Sequence, residues 1–309
     1  MQKRRKPRHP DRWLAALFLL PSALAVAVFV YGFIAWTGYV SLSNWSGLVP
    51  DFSFAGLKNY ADLFHDYRFQ SDLRNTLFFT LFFLLFTVGL GFILAVLIDQ
   101  RLRGEGFFRS VFLFPMALSF IVTGVVWQWL FNPSTGINRL LGAVGLSPLP
   151  KWYTSTEIIP GIKLGSIAFG LPVALIAVVI AAVWQMTGFA MAMYLAGLRG
   201  IPEELKEAAR IDGATERQVY TQVILPLLRP TTVSIVVIMV HISLKIFDLI
   251  YAMTGPGANF VTDMPGVYMF EATFRGNFYA RGAAIAILML LVSSLIIVPY
   301  LMHQRKESI

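Results

Sequence analysis

The sequence predicts an all-α integral membrane protein with six transmembrane helices, both termini cytoplasmic and a two-helix cytoplasmic loop. Three observations carry that prediction. Of the 309 residues, 57% are hydrophobic and 14% charged, against about 25% charged in soluble domains. The mean hydropathy is +0.67, and the apolar residues lie in long blocks rather than in the alternating or 3.6-residue patterns of water-facing elements. Lysine and arginine are unevenly shared between successive loops, which sets orientation.

A helix crosses ~30 Å of hydrocarbon with about 20 residues. Six blocks of that kind carry few or no charges: 13–36, 77–98, 111–131, 173–198, 231–253 and 282–302. The first follows a basic tail, 1–12. Ala23-Leu24-Ala25 imitates a signal cleavage site, but the apolar run continues through Val26, Val28, Phe29, Val30 and Ile34, as an uncleaved anchor does. Ahead of the fourth block an apolar stretch begins near Ser166. The distance from there to Leu198 is too short for two spans and a turn, so Pro172 is read as a break and the block counts once. The domain plan is the tail 1–12, a membrane domain 13–302 that includes the loop 199–230, and a short tail 303–309.

Of the 25 lysines and arginines, 16 fall on one side, in both tails and in the second and fourth loops, and eight on the other; Lys245 lies inside a span. That bias places both termini and the loop 199–230 in the cytoplasm. The net charge of +8 is therefore read as a topology signal rather than a nucleic-acid footprint. Lipid is the expected surrounding, and no nucleic-acid partner is expected. There is no cysteine, and the four histidines are scattered, so thiol chemistry and a metal site are not expected. The sequence lacks GxxxxGK[ST], HExxH and GxSxG, the residue patterns that would cradle phosphate, hold zinc or present a nucleophile.

The loop 199–230 (RGIPEELKEAARIDGATERQVYTQVILPLLRP) reads as two short helices. Pro202 suits the first helical position, Glu203 and Glu204 the positive end of the helix dipole, and Arg210 the negative end. Asp212-Gly213 breaks the helix, because glycine accepts the left-handed conformation of a sharp turn. Thr215 and Gln218 form a capping box for the second helix, which Pro226 ends or kinks. Leu205, Ala208 and Ala209 share a face, and two alanines there permit close approach of another body.

Glu207-Ala208-Ala209, three residues, Gly213, nine residues and then Val223-Ile224-Leu225-Pro226 resemble the EAA loop of bacterial ABC-importer permeases, with valine at Val223 where that family has isoleucine. The resemblance implies that this loop docks into a cleft of a cytoplasmic ATPase dimer. Glu207 would then be the charged contact, Ala208 and Ala209 the close-packed face with Leu205, and Asp212-Gly213 the turn. It also implies a second, different permease as partner in a heterodimer, an extracytoplasmic sugar-binding protein, and ATP and Mg held by the ATPase rather than by this chain, which would bind no cofactor itself. Phe18-Leu19-Leu20-Pro21-Ser22, Gly56-Leu57-Lys58-Asn59-Tyr60 and Asn75-Thr76 resemble carbohydrate permeases. Residues 30–33, 115–124, 127–133, 178–185 and 241–249 are similar to the glucose/mannose subgroup, whereas Thr254-Gly255-Pro256-Gly257 is shorter than the family's usual double glycine before proline.

Inside the spans, Lys245 and Asp248 lie i, i+3 apart, where ionisable groups are costly unless paired or facing a cavity. They are expected to neutralise each other as an interior pair that orients the helix; the alternative places them on a substrate route. Trp127 with Gln128, and Trp184 with Gln185, combine an aromatic face with amide groups, as a sugar requires, although tryptophans near span ends also anchor helices at the interface. The rival readings are a permease for another carbohydrate, a disaccharide or glycerol phosphate, and after it a secondary sugar transporter, against which no clear repeat relates the two halves.

Overall fold

The computed structural model describes residues 11–100 and 103–307. Most of the basic tail, Arg101 and the last two residues lie outside the described residues.

Among the described residues four helices are long and apolar enough to cross a membrane unbroken: Leu17–Ser41, Tyr67–Asp99, Val173–Arg199 and Tyr279–Met302. Two bent pairs raise the number to as many as six. The first span joins α1 (Asp11–Val26) to α2 (Phe33–Ser41) through a π segment, and α3 (Lys58–His65) follows outside it. Next comes α4 (Tyr67–Asp99), 33 residues long and therefore about 50 Å, well beyond the hydrocarbon thickness. Its start lies ten residues before the apolar block because Asp66 caps it, accepting hydrogen bonds from the N–H groups of Arg68 and Phe69 at 2.8 and 3.1 Å.

The third block is not one helix. From α5 (Glu105–Leu113) the chain passes through a 3-10 turn at Phe114–Ala117, bends by 100° and resumes as α6 (Phe120–Leu130). Pro115 sits in the turn, and the Ser119 hydroxyl accepts from the N–H of Val122 to start the new helix. After α7 (Gly136–Ala143) comes a departure from an all-α chain. Strand β1 (Ile158–Leu164) pairs antiparallel with β2 (Ile167–Pro172). The apolar stretch from Ser166 is thus a strand, and Pro172, extended at φ −66° and ψ 128°, marks where α8 (Val173–Arg199) begins.

The helices α9 (Glu203–Ile211), α10 (Glu216–Gln218) and α11 (Leu225–Leu227) make the loop at one end of the bundle. The fifth block is broken as well: α12 (Arg229–Leu244) stops at Lys245, and α13 (Asp248–Met253) follows. Beyond them lie α14 (Pro265–Phe270) and α15 (Tyr279–Glu307).

Buried side chains gather around α8, where Leu175, Val178, Met191 and Tyr194 meet Phe79 and Phe83 of α4, Ile235 and Met239 of α12, and Leu249 and Met253 of α13. Small residues let the two central helices touch. A Cβ on Gly91 would lie 2.5 Å from the Cβ of Ala190, so α4 and α8 meet almost backbone to backbone. The periphery is different in kind. An 18-residue window of the first span has no residue buried inside this chain, and that of the last span has 6%; their apolar faces are left to lipid or to another subunit.

Candidate functional site

The loop helix α9 is polar and short, with Glu203 and Glu204 in its first turn and Arg210 in its last, as the helix dipole favours. Pro202 stands just before the helix rather than at its first position. The turn after it needs glycine for its conformation and not for room: Gly213 has φ +86°, and nothing lies within 4 Å of where its side chain would start. The capping box is present, with the Thr215 N–H donating to Gln218 Oε1 at 2.8 Å and the Gln218 N–H donating to the Thr215 hydroxyl at 3.4 Å. Arg210 crosses the turn to Glu216 at 2.7 Å and reaches back to Glu203 at 3.6 Å. The Lys206 ammonium hydrogen-bonds Glu203 and holds its carboxyl below the ordinary value. Pro226 does not end the second helix. It lies within the continuous helical stretch Glu216–Leu227, directly after a π segment at Val219–Ile224. The chain turns by 64° only after Leu227.

The outward face of α9 differs in one respect from expectation. Glu204, Leu205, Glu207 and Ala208 are exposed, but Ala209 is half-buried and packs against the bundle core, as do Ala214 and Tyr220. Ile211, 85% exposed, takes its place on the open face, three residues beyond Ala208. That apolar residue on a charged helix was the available signal, because i, i+3 spacing puts it in line with Ala208. The face therefore offers one methyl group, two larger apolar side chains and two carboxylates, with Asp212 exposed at its end.

The opposite end of the bundle holds a polar network that the hydropathy blocks did not show. Arg68, in the first turn of α4, donates from Nε to Asp263 at 2.5 Å and from Nη2 to Glu271 at 2.7 Å. Its guanidinium lies 4.9 Å from the ring centroid of Phe260 and 4.4 Å from that of Tyr268. The Asn75 amide donates to the carbonyls of Phe260 and Asp263 at 2.8 and 2.9 Å, and Arg74 donates to Asn75 Oδ1 and to the carbonyl of Ala168. Burial pushes the Asp263 carboxyl up, and Arg68 draws it back down. Together these contacts pin residues 255–264 to the end of α4.

The substrate-path candidates separate into two places. Trp127 and Trp184 meet edge to face at 5.7 Å along a groove of about 780 Å³ between α4, α5 and α8. The other groove residues are almost all apolar, and neither Gln128 nor Gln185 lines it. Gln185 is buried and donates to the carbonyl of Leu118 at 2.8 Å, bracing the bend of the third span; Gln128 is half-buried. The expected pairing of indole and amide in one site is therefore not formed. Lys245 and Asp248 do not neutralise each other either. The helix ends between them, both are exposed, and no described ion pair joins them. They flank a break in the fifth span, beside Phe247 and Tyr251, whose rings stack at 5.1 Å.

A helical bundle with one bent and one broken span, and a short charged helix exposed at one end, defines a multi-pass membrane protein. The chain belongs to the binding-protein-dependent transport system inner membrane component family, whose model matches residues 87–307. It is 38% identical over 301 residues to a probable ABC transporter permease protein of Pyrococcus horikoshii, covering 97% of this chain and 98% of that one. It is 34% identical over 288 residues to the xylose/arabinose import permease protein XacH of Haloferax volcanii, covering 91% of this chain and 85% of that one. A crystal structure of a bacterial ABC transporter involved in the import of alginate has the same fold, with a TM-score of 0.78 at 22% identity and 96% of each chain covered.

Proposed function

We propose that this chain is one of two different permease subunits of an ATP-driven sugar importer. It receives a neutral monosaccharide, glucose or mannose, from an extracytoplasmic binding protein. The observation that carries the reading is the open face of α9, where Leu205, Ala208 and Ile211 stand exposed beside Glu207 within the EAA spacing. A methyl group at the centre of such a face lets a cleft close around it. The sequence has no phosphate-cradling loop, so ATP and Mg belong to a cytoplasmic ATPase dimer. The first span, with no residue of its window buried in this chain, leaves apolar surface for the second permease. The break at Lys245 and Asp248, with the Phe247 and Tyr251 rings beside it, combines aromatic faces with hydrogen-bonding groups and is the better candidate for sugar contact.

Uptake of labelled glucose into vesicles containing the purified subunits, competed by a panel of sugars, tests the substrate. Glucose and mannose are expected to compete best. Competition confined to xylose and arabinose, the sugars in the name of the Haloferax relative, would replace hexose by pentose and leave the importer reading intact. Orientation is tested on this cysteine-free chain by placing one cysteine at Ile211, which is 85% exposed on α9. It is expected to react with an impermeant maleimide only after cells are opened; labelling in intact cells would invert the topology.

A further inference from the structure

Asp72 lies in the second turn of α4 and is fully enclosed, with 0% of its surface exposed. Among the described residues no N–H or O–H donor reaches either of its carboxyl oxygens. The charged groups around it are already engaged. Arg68 serves Asp263 and Glu271, Arg74 serves Asn75 and the Ala168 carbonyl, and Asp66 accepts the N–H groups that open the helix. Arg68, Asp72 and Asn75 share a face of α4, at i, i+4 and i+7. The Arg68 and Asn75 side chains both bond Asp263, so the carboxyl of Asp72 stands beside that of Asp263, whose Oδ1 accepts from the N–H of Met264 and whose Oδ2 accepts from Arg68. Among the described residues no group of three or more histidines and carboxylates completes a metal site.

An ionised carboxylate without a donor or a free counter-charge is among the costliest things to enclose, and two adjacent carboxylates with one guanidinium already divided between two partners cannot both stay charged cheaply. We propose that Asp72 is a neutral carboxylic acid whose O–H donates to the Asp263 carboxylate, which makes Asp72 the positioning residue of the Arg68 clamp. The proton supplies the donor that the site lacks. It holds the Asp263 carboxylate towards Arg68 and thereby keeps residues 255–264 against α4. Because Asp72 is enclosed by this chain alone, a partner subunit cannot supply the missing donor.

Infrared difference spectroscopy on the purified full-length chain in lipid at neutral pH, wild type against Asp72→Asn, tests the assignment without reference to transport. A protonated-carboxyl C=O band that shifts in deuterium oxide is expected in the wild type and is expected to vanish in Asp72→Asn. No such band, or a band that survives in Asp72→Asn, would overturn it. Uptake supplies the second readout. Asp72→Asn keeps an N–H donor for Asp263 and should transport within about twofold of wild type, whereas Asp72→Leu, which keeps the bulk and loses the donor, should fall about tenfold. Equal uptake in both variants, or Asn as low as Leu, would also overturn the proposal. Should Asp72→Leu fail to insert, the infrared comparison stands on the other two proteins. Failure of the sugar-importer reading would remove uptake from the wild type too and leave the band in place.

Discussion

Ala208→Trp is expected to abolish uptake while leaving the chain inserted and its helices intact. Ala208 is exposed on α9 and supports nothing beneath it, so an indole there leaves the fold alone and fills the space a docking cleft must occupy. Overpacking a close contact costs about 1–3 kcal/mol, which is roughly 5- to 150-fold in affinity. The ATPase should therefore co-purify poorly with this variant. Ala209→Trp separates the outward face from the inward one. Ala209 packs against the bundle, so a tryptophan there should disturb the loop itself and lower thermal stability, which Ala208→Trp should not. Gly213→Asp places a side chain at φ +86°, in a region that costs a non-glycine residue roughly 1 kcal/mol, and should weaken docking less than Ala208→Trp does. Wild-type uptake and ATPase recovery for Ala208→Trp would reduce the loop to a connector.

How far the sequence could be read depends on what lipid demands. Continuous apolar blocks are compulsory for a crossing helix, so all six blocks have a helix somewhere within them. Interruptions are not compulsory and leave weak marks. Pro115 and Ser119 sat in the third block without announcing a 100° bend, and Lys245 was read as continuing a helix that it ends. The strand after Ser166 shares its apolar character with the helix that follows, so hydropathy alone did not divide them. In the loop, Asp212-Gly213 and the Thr215/Gln218 box are local devices and were legible. The inward turn of Ala209 depends on the core it packs against, and no local pattern encodes that. The Arg68 network was the least legible. Its partners Asp263 and Glu271 lie 195 and 203 residues away, and Arg68, Asp72 and Arg74 stand ahead of the apolar block that begins at Leu77.

Arg68→Ala is expected to have the largest effect on stability. The substitution leaves Asp263, which is fully buried, and Glu271, 18% exposed at its side chain, facing each other without a counter-charge, and it removes the cation held between the Phe260 and Tyr268 rings. Breaking a buried ion pair from one side costs about 3–5 kcal/mol. The low end applies here because Arg68 and Glu271 keep some contact with solvent. Melting in detergent should fall accordingly, and limited proteolysis should begin to cut within residues 255–264, which the clamp holds against α4. Arg68→Lys should lose less: one ammonium can satisfy Asp263 or Glu271 but cannot fork to both, and it stacks less well between two rings. Adding Asp263→Asn to Arg68→Ala removes the stranded charge and should recover part of the loss, since the penalty comes from the unpaired carboxylate more than from the missing contact. The Asn75 amide, still bonded to the Phe260 and Asp263 carbonyls, limits how far the loop can leave. If Arg68→Ala melted with the wild type, or if Asp263→Asn made it worse, the clamp would not hold this end of the bundle closed.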